Sequence, residues 1–98
     1  MTIQVQKEDN LCTINLAGRL DTTTAPELEK AVTDNIAGVE TLIFDLKDLS
    51  YTSSAGLRVF LKAQKLMNRQ GTMKLKNVCP DILEIFEVTG FTDILTIE

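Results

Sequence analysis

The residues best placed to do chemistry are the hydroxyls of the segment Tyr51-Thr52-Ser53-Ser54-Ala55-Gly56-Leu57, which lies just ahead of an apolar helical pattern. Serine hydroxyls act as nucleophiles when a base activates them, accept phosphate from a kinase, or cap a helix by accepting a backbone N–H bond. The chain has no histidine, which excludes Ser-His-Asp chemistry and removes the commonest zinc ligand. Asp45 and Asp48 suggest a magnesium pair, but the first reads as a strand end and the second as a turn. With no third ligand nearby, no metal is expected. On spacing alone, capping by Ser53 or Ser54 is the simpler reading.

These hydroxyls need elements to hold them, and the patterns supply them. Ile3 and Val5 alternate with Gln4 and Gln6, and Cys12, Ile14 and Leu16 with Thr13 and Asn15, with the polar Lys7-Glu8-Asp9-Asn10 between, so the chain is expected to open with a β-hairpin. Gly18-Arg19-Leu20-Asp21 breaks the alternation. Thr24-x-x-Glu27 with Pro26 reads as a capping box that starts a helix running to about Ile36, with Leu28, Val32 and Ile36 as its apolar stripe. The near-continuous apolar run Leu42-Ile43-Phe44-Asp45-Leu46 predicts a central strand covered on both faces, and residues 45–56 then form the loop into the next helix.

That helix is expected over residues 54–70, ended by Gly71, with a strand at Met73-Lys74-Leu75-Lys76. A short helix from Pro80-Asp81 to near Gly90 follows, then an edge strand from Ile94 to Ile97. The expected fold class is α/β: a single mixed sheet of four or five strands, opening with a hairpin and packed with three or four helices, as one domain over residues 1–98.

In such sheets ligands and partners are met where a strand leads into a helix. Projected at about 100° per residue, the helix gives a core stripe of Val59, Phe60, Ala63, Leu66 and Met67 and a basic row of Arg58, Lys62, Lys65 and Arg69. Leu57, Leu61, Gln64 and Asn68 fall between them. Leu57 and Leu61 are candidate apolar contacts for a partner, and the basic row a candidate steering charge. The competing readings are partial burial and plain solvated surface.

Ten basic and fourteen acidic residues give a net charge of −4, which argues against nucleic acid as the main partner. No stretch approaches the ~20 apolar residues of a spanning helix, and Met1-Thr2-Ile3-Gln4-Val5-Gln6 does not read as a signal peptide, so a cytoplasmic protein without membrane insertion is expected. Cys12 and Cys79 form no Cys-x-x-Cys pair and read as free packing thiols.

The run Asp45-Leu46-x-Asp48-Leu49-Ser50-Tyr51-Thr52-Ser53-Ser54-Ala55-Gly56-Leu57 resembles the signature of the STAS domain, the sulfate-transporter and anti-sigma-factor-antagonist family. Gly18-Arg19-Leu20-Asp21 with Thr24-Ala25 resembles that family's Gly-x-Leu-Asp loop. The resemblance implies a bacterial anti-sigma factor antagonist with no enzymatic activity and no cofactor of its own, which controls transcription by partner switching. Its partners would be an anti-sigma factor that is also a serine kinase, carrying ATP and magnesium, and a serine phosphatase. The family's Asp-Ser-Ser/Thr-Gly-Leu motif places the phosphorylated serine at Ser54, with Ser53 standing where the aspartate usually is and Ala55 where a second hydroxyl is. The partner-binding set then comprises Asp21, Thr23, Ser53, Gly56, Leu57, Arg58, Leu61 and Lys62, and Asp21 reads either as a turn former or as an acidic wall beside the acceptor. A second reading is a STAS subunit acting structurally in a membrane transporter complex. A small enzyme or nucleotide-binding module fits poorly, for want of a Gly-rich phosphate loop or a paired acid and base.

Overall fold

The alternation of the first twenty residues folds as a hairpin: β1 (Thr2–Glu8) and β2 (Leu11–Leu20) pair antiparallel, with Val5 opposite Ile14 and Glu8 opposite Leu11. Asp9 takes a left-handed φ of 56° in the turn, a conformation aspartate tolerates better than most residues. The computed structural model describes residues 1–98. Its further elements are α1 (Ala25–Asn35), β3 (Thr41–Thr52), α2 (Ser54–Met67), β4 (Thr72–Lys76), α3 (Pro80–Val88) and a 3-10 turn at Phe91–Asp93. The sheet runs β1-β2-β3-β4; β3 is parallel to both β2 and β4, as the helical crossovers require.

One face of this sheet carries the core. The rows Cys12-Leu42-Met73 and Ile14-Phe44-Leu75 lie in register and are buried. Phe44 meets Phe60 of α2 edge-on at 5.1 Å, and Phe60 meets Phe86 of α3 at 6.1 Å, so both helices pack on that face. Leu28 and Val32 of α1 join the same cluster. The expectation that the Leu42–Leu46 run is covered on both faces is therefore corrected. Ile43 sits between Thr13 and Lys74 on the opposite, polar face, and its half-burial comes from those cross-strand neighbours.

Three further expectations change. Residues 45–52 belong to β3, which continues almost to α2. Two register shifts place extra residues on β3, one between the Asn15 and Ala17 pairings and one between those of Gly18 and Arg19. The inward positions then become Leu46, Leu49 and Thr52, three apart, which disguises the strand. Ser50, in the second bulge, donates its hydroxyl to the Gly18 carbonyl at 2.9 Å. Helix α2 ends at Met67, and a turn carries the chain to Gly71, whose N–H donates to the Met67 carbonyl at 2.7 Å. The expected last strand reduces to one parallel bridge between Ile97 and Leu75, because Gly90 at φ 79° starts the 3-10 turn and the chain reaches the edge of β4 only at its last residues.

Candidate functional site

The parallel ends of β2 and β3 bring the two singled-out segments together. Leu20 pairs with Thr52, and the Ser53 N–H donates to the Leu20 carbonyl at 2.8 Å, so the Asp21 loop and the start of α2 leave the sheet side by side. Ser53 is the N-cap of α2, extended at φ −95° and ψ 176°, with its Oγ accepting from the Gly56 N–H at 3.5 Å. Ser54 is the first residue inside the helix, and it is exposed. The two serines thus divide the roles that spacing left open: Ser53 caps, and Ser54 is free.

Gly56 is buried because α2 presses its first turn onto the sheet ends. A Cβ at this position would lie 2.5 Å from Thr52 Oγ1 and 2.6 Å from Leu20 Cγ, both on buried residues. Close approach explains the glycine.

Asp21 is the organiser of its loop. Its Oδ1 accepts from the Thr23 hydroxyl at 2.7 Å, the Thr23 N–H at 3.0 Å and the Thr24 N–H at 3.1 Å. Those bonds hold its carboxyl well below the usual range, at about 2, with the Thr23 hydroxyl the largest cause. Thr24 does not build the expected capping box. Its Oγ1 accepts from the Asp21 N–H at 2.8 Å and donates to the Arg19 carbonyl at 2.9 Å, so it ties the loop to β2. Asp21 is a turn former, and Thr23 is one of the groups that fix it.

The N-terminal halves of α1 and α2 border an open groove of about 310 Å³, whose lining on α2 begins at Ala55, the residue after Ser54. Thr22, Pro26 and Glu29 line one side and Ala55, Arg58 and Lys62 the other. Lys62 crosses it to Glu29 at 3.0 Å. Arg58 is exposed and has no carboxylate partner.

The remaining candidates separate. Leu57 is 6% exposed and belongs to the core, so it leaves almost no surface for a partner. Leu61 is half-buried. Lys65 and Arg69 are exposed farther along α2, away from the groove. Gln64 is 7% exposed, its Nε2 donating to Asn68 Oδ1 at 2.7 Å while its Oε1 lacks a partner. Thr22, just ahead of α1, and Pro26 and Glu29 on it were not among the partner-binding candidates; that they border the site is visible only once α2 is known to be the neighbour of α1.

Asp45 and Asp48 both lie within β3 and flank its first bulge, which corrects their reading as strand end and turn; Asp45 accepts from the Lys47 N–H at 3.1 Å and from Asn77 Nδ2 at 3.0 Å, and no three His, Cys, Asp or Glu side chains converge as metal ligands. Cys12 is buried, and Cys79 is half-buried at the start of α3; both are free. Arg19 stacks over the Tyr51 ring, 4.2 Å from its centroid, at the irregular end of β2 and β3. No helix is long and apolar enough to cross a membrane.

The family model described as "STAS domain" matches residues 2–98. The anti-sigma-B factor antagonist of Bacillus subtilis is 33% identical over 98 residues, covering 99% of this chain and 90% of that protein. Among solved structures, the anti-sigma factor antagonist SpoIIAA in its unphosphorylated form superposes with a TM-score of 0.80 at 20% identity, covering 99% of this chain and 87% of that one. The Bacillus cell fate determinant SpoIIAA in the phosphorylated form superposes at 0.78 with 21% identity, covering 99% and 91%.

Proposed function

The chain belongs to the STAS domain family, and we propose that it is an anti-sigma factor antagonist whose binding to its anti-sigma factor is switched off by phosphorylation of Ser54. The observation that carries this reading is the placement of Ser54: an exposed hydroxyl at the first position of α2, with capping already done by Ser53, beside a groove open to a partner.

In this reading the anti-sigma factor is also the kinase and holds ATP with magnesium. Ser54 Oγ attacks the γ-phosphorus, the bond to ADP breaks, and the hydroxyl proton passes to a base of the kinase. A separate phosphatase later hydrolyses the ester, restoring serine and releasing inorganic phosphate. The chain supplies the acceptor and the binding surface to both partners.

Phosphate adds about −1.5 to −2 of charge at neutral pH. A helix start offers free N–H groups and a favourable dipole to such a charge, so the fold tolerates it. The phosphate therefore acts at the interface, by bulk and by repulsion of acidic partner groups. That SpoIIAA has this fold in both its phosphorylated and unphosphorylated forms supports this view.

The test is to incubate the protein with the kinase and ATP, map the phosphate by mass spectrometry, and measure binding of Ser54→Ala and Ser54→Asp. Ser54→Ala is expected to bind like the unmodified protein. Ser54→Asp should bind at least about tenfold more weakly, the loss that 1.4 kcal/mol of unfavourable interaction produces. Equal binding by the two variants would remove Ser54 as the switch.

A further inference from the structure

Arg58 stands four residues after Ser54 on α2, so the two side chains share one helical face one turn apart, about 5–6 Å between Cβ atoms. The order is the favourable one, with the anion toward the helix N-terminus and the cation after it. Of the charged groups lining the groove, Glu29 and Lys62 are paired with each other at 3.0 Å, which leaves Arg58 as the one cation there without a partner. Lys62 is eight residues from Ser54, about 12 Å along the axis, and is already occupied. Lys65 and Arg69 lie farther still.

We propose that Arg58 reads the phosphorylation of Ser54 within the domain itself: the phosphate pairs with its guanidinium and so withdraws from the groove the cation that the unmodified protein offers to a carboxylate of the partner. This rests on Ser54 being the phosphate acceptor. The planar guanidinium fork matches two phosphate oxygens, which an ammonium cannot do, so arginine is the residue suited to the role. The groove mouth carries one net positive charge before modification, from Arg58. With about −1.5 to −2 added beside it, that corner becomes net negative, and an acidic partner group that was attracted is repelled without any backbone movement.

The test places phosphoserine at position 54 by genetic code expansion, in the full chain, with Arg58 kept or replaced by Gln or Lys. The second ionisation of the phosphate, near pH 6 for a free phosphoserine, is followed by 31P NMR. The helix N-terminus, Asp21 and Glu29 bear on the phosphate in all three proteins, so differences between them report residue 58. Arg58→Gln should titrate about 0.2 to 0.4 pH unit higher than the parent, the shift that corresponds to an exposed (i, i+4) ion pair, and Arg58→Lys should restore part of it. Identical titrations in the parent and Arg58→Gln would overturn the contact. Unmodified Arg58→Gln should bind the anti-sigma factor about threefold more weakly, and an unchanged Kd would overturn the role of the groove cation. No kinase takes part in the titration. Failure of a kinase to modify Ser54 therefore counts against the switch, and equal titrations count against Arg58.

Discussion

Replacing Gly56 by alanine tests whether the start of α2 is held by close packing against the sheet ends. Gly56 is the third residue of α2, where alanine gains about 1 kcal/mol of helix propensity over glycine. Propensity alone thus predicts a stabilised protein. The added Cβ, however, would lie 2.5 Å from Thr52 Oγ1, 2.6 Å from Leu20 Cγ and 2.7 Å from Leu20 Cδ2. Both residues are buried at the paired ends of β3 and β2, so neither side chain can swing aside into solvent. Overpacking of this kind costs about 1–3 kcal/mol, and three simultaneous contacts place the cost near the upper end. The net expectation is a loss of about 2 kcal/mol, or roughly 8–16 °C in Tm for a domain of this size. Thermal unfolding followed by circular dichroism reads it directly. A double variant with Leu20→Ala removes two of the three contacts, so its cost should fall short of the two single costs added together by about 1 kcal/mol. A Gly56→Ala protein as stable as the parent, or strictly additive costs in the double variant, would refute the packing argument.

Ser53→Ala should lower stability by about 0.5–1 kcal/mol, the lower part of the N-cap range, since the Oγ to Gly56 N distance is a long 3.5 Å. Ser53→Asp should match or exceed the parent, because it keeps the cap and adds charge favourable to the helix dipole; urea denaturation in which Ser53→Asp falls below Ser53→Ala would contradict the cap assignment. Asp21 has its folded-state pKa lowered from 3.8 to about 2, so the stability it adds is complete above about pH 4 and is lost as the pH falls toward 2. The Tm gap between the parent and Asp21→Asn should accordingly be widest near neutral pH and close across that window, and a gap independent of pH would show that the carboxylate is not the stabilising form.

Most of the elements, and the placement of a serine pair at the start of α2, were legible because they depend on local patterns. Alternation marked the hairpin, and the 3.6-residue period placed Val59, Phe60, Ala63 and Met67 in the core of α2, where they lie. The same projection missed Leu57 and Gln64, which are buried, and assigned to the core Leu66, which is only half-buried. The width and direction of a buried arc depend on what flanks the helix. Here that includes α3, whose Phe86 packs against Phe60, and no period within residues 54–70 encodes it. The bulges of β3 were hidden for a related reason. Leu46, Leu49 and Thr52 are spaced like a helix or a loop, and only the pairing with Gly18 and Arg19 shows that the chain is still extended. The groove combines side chains from α1 and α2, so its polar pairing of Glu29 with Lys62 was likewise beyond one-dimensional reading.

Ser53 connects these local and non-local parts. An aspartate in its place, as the family motif has it, would put a full negative charge on the residue adjoining Ser54, the proposed phosphate acceptor. The serine observed here performs the capping bond without that charge. Like charges on neighbouring residues at a helix start compete for the same few N–H donors and the same dipole. A neutral cap at 53 leaves that field to Ser54, and the unpaired cation at 58 lies one turn further along the same face. Electrostatically, the site is thus arranged so that a phosphate on Ser54 would meet attraction from its own helix, so in the proposed switch its effect falls on the partner side of the groove and not on the stability of the domain.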